Sequence, residues 1–204
     1  MSSEGRFSEM KKVPDAPASK FIAHGHVRLK TKLDAGPDAS VEEVLTELYA
    51  KDKLPEVLLM LANCLPPREA VWWACVCARD MYPENGEEQP ETLTTAEAWV
   101  FKPSEETRVA ARLALDASTP GDKTKLCAQA ACFADGTLGP GELEDYETPP
   151  GGFGASVFGM VMRAMYSDKA KAMDREVEYV DRAVDIGRGG NGKKADETPA
   201  KENA

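Results

Sequence analysis

A chain of 204 residues with 42% hydrophobic and 29% charged side chains is long enough to bury a core and has a globular balance. Its net charge of −10 is unevenly spread: residues 1–40 carry +2, residues 41–150 carry −12 (nine basic against 21 acidic side chains), and the remainder is neutral. An acidic body of this kind repels phosphate backbones, which argues against nucleic-acid binding, and no window approaches the ~20 apolar residues of a membrane span, so no membrane insertion is expected.

Residues 1–20 are polar and without periodicity, and read as a disordered tail. They hold no apolar run of the secretory kind, so the chain is expected to be cytoplasmic. FIAHGHVRLK (21–30) alternates and is the only strand candidate. It carries the two histidines, His24 and His26, which would share a face if extended. No acidic or cysteine partner lies near them, so a solvated or packing role is favoured over a metal or catalytic one.

Ser40 with Glu43 forms a capping box before VEEVLTELYA, whose Val41, Val44, Leu45 and Leu48 line one face. Pro55 opens PEVLLMLANC, and Pro66 with Pro67 stops it and opens the next helix. The acidic loop PENGEEQPETL precedes a short helix over AEAWVFK. Ser104, followed by Glu105 and Glu106, starts a helix ending near Asp116. Asp122 is expected to cap KTKLCAQAACFAD, which stops at Gly136. The loop GTLGPGELEDYETPPGG then leads to helices at about 153–166 and 168–187, and 188–204 reads as a second disordered tail.

The pattern predicts an all-α fold: an irregular multi-helix bundle of about seven or eight helices in one domain over residues 21–187. Residues 106–118 and 123–135 share Thr, a basic residue, an aliphatic and an alanine-rich face at matched offsets. Small side chains there would let two helices approach closely.

The densest stretch is LPPREAVWWACVCARDMY (65–82). From Ala70 to Ala78 no side chain is polar, so this helix is apolar around its circumference, with Arg68/Glu69 and Arg79/Asp80 at its ends. That describes a central helix wrapped by neighbours, with Trp72 and Trp73 diverging at ~100° per residue. The alternative is an aromatic peptide-binding groove with Arg68 and Glu69 at its mouth. The candidate partner-binding residues are therefore Arg68, Glu69, Trp73 and Arg79.

Chemistry finds fewer footholds. Cys75 and Cys77 point about 200° apart on a helix and cannot share a metal from it. Cys127 and Cys132 are also poorly aligned, and with Cys64 the five read as reduced core thiols. Glu142, Glu144, Asp145 and Glu147 lack the calcium-loop pattern. GGFGASVFG lacks the strand that a dinucleotide fingerprint requires. Met160, Met162, Met165 and Met173 read as core filler. No catalytic, cofactor or metal residue is expected, and the chain reads as a non-enzyme.

The stretch EVLLMLANCLPPREAVWWACVCAR resembles a functionally uncharacterised family of helical bacterial proteins. Its members read LA, then LP-x-REAVWWA, then CxxR or AxxR. Here those positions are Leu61-Ala62, Leu65-Pro66, Arg68 through Ala74, and Arg79. TPPGGFGASVFGMVM is similar to the family's proline-rich loop and small-residue helix, although members carry a longer proline run, and YVDRAVDIGRG is similar to its closing helix. The resemblance spans about residues 41–188 and implies a setting beside type VI secretion genes, among spike, PAAR-like and adaptor proteins. The expected function is a cytosolic adaptor or accessory protein with a protein partner. The alternative is an immunity protein that neutralises a toxin through its acidic surface.

Overall fold

In a computed structural model, residues 5–82 and 88–192 are described. They form nine α-helices: α1 (Ala18–His24), α2 (Val41–Ala50), α3 (Leu54–Cys64), α4 (Pro67–Arg79), α5 (Glu91–Phe101), α6 (Glu105–Ala117), α7 (Lys125–Phe133), α8 (Gly152–Met165) and α9 (Ala172–Arg188). Two short 3₁₀ turns and two isolated bridges complete the described residues, which contain no sheet. The fold is all-α. No helix among them is long and apolar enough to cross a membrane.

The extra helix is α1, where the sequence alternates like a strand. Its apolar residues Phe21 and Ile22 pack on the core, and the helix ends at Gly25 before His26 turns to φ +48°. α5 starts five residues before the expected AEAWVFK, because Pro90 sets its entrance and Glu91 occupies the favourable first turn. Ser40 and Glu43 form the predicted capping box, and Ser104 pairs reciprocally with Thr107 at α6. At α7 the cap is Thr124 rather than Asp122. The Asp122 carboxylate instead accepts from the Thr124 N–H and from the Thr92 hydroxyl, tying α7 to α5.

α4 is the axis of the bundle, packed against α3, α5, α7, α8 and α9. Ala70 through Ala78 are buried except for Trp72, which is half-buried. Trp73 has no exposed surface, and its indole N–H donates to the Tyr179 carbonyl at 3.0 Å. Two arginines of α9 serve carbonyls at neighbouring helix ends, where no intrahelical donor remains. Arg175 donates to Ala164 O at the end of α8 and Asp80 O at the end of α4, and Arg182 donates to Val76 O. α6 and α7 pack against each other, and Ala111, Ala114, Ala128 and Ala131 of their shared alanine-rich pattern are all buried. At α8, the glycine-rich start serves close packing: Gly154 and Gly25 both press on Asn63, leaving no room for a Cβ.

The N-terminal segment corrects the expected tail boundary. Residues 1–4 and 193–204 lie outside the described residues, but from Gly5 the chain is packed. Phe7 is buried, edge-on to Tyr49 with ring centroids 5.8 Å apart. Arg188 donates to the carbonyls of Gly5, Arg6 and Ser8, and the Lys12 N–H donates to Gly187 O. Phe7, Met10 and Val13 are spaced by three, and all three pack on the core. Polar composition masked that short apolar stripe. At the other end, the expected tail from residue 188 begins inside α9, and Gly192 N–H reaches back to Asp185.

Candidate functional site

All five cysteines are free and buried. Burial pushes the Cys64 thiol up to about 12 and Cys132 up to about 11, and it raises Cys75 and Cys77 as well. Protonated, enclosed thiols are poor nucleophiles and poor ligands. Among the described residues no three His, Cys, Asp or Glu side chains gather to hold a metal. His24 and His26 are both exposed. Of the methionines, Met160 and Met165 are core, Met162 is half-buried, and Met173 is not filler at all, being 85% exposed.

The two charged ends of α4 have different surroundings. At its C-terminal end, Arg79 grips the buried carboxylate of Glu97 with two hydrogen bonds of 2.5 and 2.6 Å. Asp80 accepts from Tyr179 at 2.9 Å and from Arg182 at 3.2 Å. Burial opposes the charge on Arg182, but the carboxylates of Asp80 and Glu178 outweigh it and raise its pKa. Burial pushes the Tyr179 phenol up as well. This end is a closed network of groups that serve one another.

At the N-terminal end, Pro66 and Pro67 start the helix and no side chain caps it. Two open cavities meet there, sharing only Arg68 and Glu69. The larger, about 460 Å³, runs towards α6 and α7 and is walled by Pro66, Pro67, Trp99 and Pro103. The smaller, about 280 Å³, runs towards the end of α9 and is walled by Trp72, Val100, Phe101 and Ile186. Phe101 is 68% exposed and meets Trp72 edge-on, with centroids 5.4 Å apart. The Trp72 indole N–H donates to Asn191 O at 2.8 Å, so this ring is held in place while one side faces the cavity.

The polar groups of the groove fall into two sets. Glu69 pairs with Lys12 at 3.3 Å, and buried Arg108 pairs with Asp135 while also donating to Cys132 O. Arg68 differs. Its Nε donates to the Val100 carbonyl at 2.6 Å, which fixes the plane of the guanidinium, and among the described residues its two terminal nitrogens have no protein partner. It stands exposed on the ridge between the two cavities.

Of the four residues expected to meet a partner, the structure brings Arg68 and Glu69 to one open site. Trp73 is removed from it, because full burial leaves nothing to touch. Arg79 is removed because it faces Glu97 at the opposite end of the helix. Sequence reasoning missed Trp99, Phe101, Pro103 and Lys12. AEAWVFKP held a usable signal, an aromatic pair beside a proline at a helix end, but only the juxtaposition with α4 makes a groove of it.

Comparison with known proteins gives a family and no activity. No curated protein and no solved structure matches the chain. Residues 44–187, most of the chain, match the profile described as Family of unknown function (DUF6931), and the chain belongs to that family.

Proposed function

We propose that this protein is a non-enzymatic accessory factor that docks a protein partner in the groove at the N-terminal end of α4. The observation that carries this reading is the pair of cavities meeting at Arg68 and Glu69. Their walls are largely prolines and aromatics, side chains with few torsions to freeze when a partner settles there. Apolar walls with a few placed polar groups are the usual make-up of a recognition site. Of the other charges of the groove, Glu69 is paired with Lys12 and Arg108 with Asp135.

The resemblance carried by the REAVWWA helix supplies a setting, the neighbourhood of type VI secretion genes. On that ground the partner is a spike, PAAR-like or effector component, met in the cytoplasm. Affinity capture from the native host with the full chain tests this. Wild-type protein should retain a secretion-gene product that the Phe101→Asp variant loses, and deletion should reduce secretion. Identical capture by both proteins, with secretion unchanged on deletion, would sink the reading.

The −12 charge of residues 41–150 supports a second reading, an immunity protein covering a basic toxin cleft. It predicts binding that weakens steeply with salt and survives Phe101→Asp, together with rescue of cells expressing the toxin.

A further inference from the structure

Resting on the docking groove just described, the geometry points to its occupant: an extended peptide segment of the partner with an internal Asp or Glu that Arg68 grips, flanked on both sides by apolar residues that fill the two cavities.

Arg68 spends one donor on Val100 O, which orients the planar head, and presents its remaining two nitrogens as a fork between the cavities. A fixed fork of parallel N–H donors matches a carboxylate better than any other peptide group. On the side of the smaller cavity the lining charges are Lys12 and Arg68 against Glu69, a local positive excess on a chain whose net charge is −10, while the larger cavity adds Arg108 against Glu105 and Asp135. Glu69 does not compete for the fork, being paired with Lys12.

Position decides which carboxylate. A C-terminal carboxylate on Arg68 would end the peptide there and leave one apolar cavity unfilled. An internal acidic residue lets the chain continue across the ridge. In an extended segment, side chains two apart face the same way about 6.8 Å from each other, so apolar residues two positions before and after the acid would point into the two cavities. Trp72 and Phe101 receive one of them, and Trp99 with the three prolines receives the other.

Panning a random heptapeptide phage library against the immobilised full chain tests the occupant. The enriched sequences should carry Asp or Glu between apolar residues. A synthetic peptide of the enriched sequence should bind wild-type protein and lose about tenfold or more in affinity to Arg68→Ala. Arg68→Lys keeps the charge but not the fork, and should recover only part of that loss. Changing the peptide's acid to its amide should match the Arg68→Ala loss, and changing both together should add little. Arg68 is exposed, so its variants are expected to melt like wild type, which separates a lost contact from a lost fold.

Enrichment of sequences without a carboxylate, of sequences ending in one beside a single apolar residue, or of none at all would overturn the inference. The two proposals fail separately. If Phe101→Asp abolishes partner capture while Arg68→Glu does not, the groove stands and the carboxylate is wrong. If neither matters, the groove reading itself fails.

Discussion

The two ends of α4 carry the same pair of residue types, a basic side chain followed by an acidic one, and put them to opposite use. At the C-terminal end, Arg79 and Asp80 are absorbed by Glu97, Tyr179 and Arg182. At the N-terminal end, among the described residues, Glu69 pairs with the surface lysine Lys12, and Arg68 keeps two nitrogens without a protein partner. The difference lies in what packs beside each end. α9 lies across the C-terminal end and brings two arginines and a tyrosine, whereas at the N-terminal end the neighbouring helices terminate and leave a gap. A charged residue beside a helix end becomes structure or recognition surface according to whether a neighbour closes over it.

Substitutions put that contrast to the test. The largest effect is expected midway, at Trp73. Trp73→Ala removes a fully buried indole and should cost about 3–5 kcal/mol, lowering the melting temperature by on the order of 10 °C. Trp72→Ala should cost visibly less by the same calorimetry, since one side of that ring faces a cavity. Equal losses would mean that the two indoles are equally enclosed.

Next comes the closed end. Arg182→Ala should destabilise by about 3 kcal/mol, because it strips donors from the Val76 carbonyl and leaves Asp80 and Glu178 short of their cation. Arg182→Met, which restores the apolar stem, should recover part of that in urea titration. Arg79→Ala exposes the buried Glu97 carboxylate to an unpaired environment, but the Arg79 side chain is 37% exposed, so screening trims the loss to about 1–2 kcal/mol. The double change Arg79→Met with Glu97→Gln should be milder than Arg79→Ala alone.

Alkaline pH gives a separate effect. Thiols held near 12 at Cys64 and near 11 at Cys132 stay protonated in the folded chain, whereas unfolded thiols ionise near the ordinary value of 9.0. Their contribution is therefore intact below about pH 8.5 and is lost as pH rises towards 11–12, at roughly 1 kcal/mol per thiol by pH 10. Thermal melts across pH 7–10 should be flat and then fall, and native protein at pH 8 should resist iodoacetamide until it is unfolded. Rapid alkylation of the folded chain would contradict the enclosed thiols. Smallest of all, Arg68→Ala should change stability by less than about 0.5 kcal/mol while affecting binding. A large loss there would erase the contrast between the two ends.

Much of the secondary structure was legible because its signals are local. Ser40 and Glu43, Pro55, the Pro66-Pro67 pair and Ser104 act within a turn or two of where they stand, and helices begin beside each of them. The uninterrupted apolar run from Ala70 to Ala78 announced a wrapped helix, and the five cysteines in apolar stretches announced enclosed thiols. The N-terminal hook was not legible: Phe7, Met10 and Val13 form too short a stripe to register against polar neighbours, and its anchor, Arg188, is 180 residues away. Nor was α1, where alternation over a few residues suits a strand and a one-sided helix alike. Among the site residues, Arg68 and Glu69 were found from the charge pair, but nothing local distinguished them from Arg79, or Trp72 from Trp73.

The class of fold, the starts of most helices and the identity of the central one follow from the amino-acid sequence, since backbone capping and apolar periodicity act over a few residues. Which tryptophan is sealed, which arginine is consumed and where two cavities meet are settled by packing. Those outcomes depend on helices far apart in the chain coming to rest against α4, and the free energy of burying or sparing a charge is set by that neighbour.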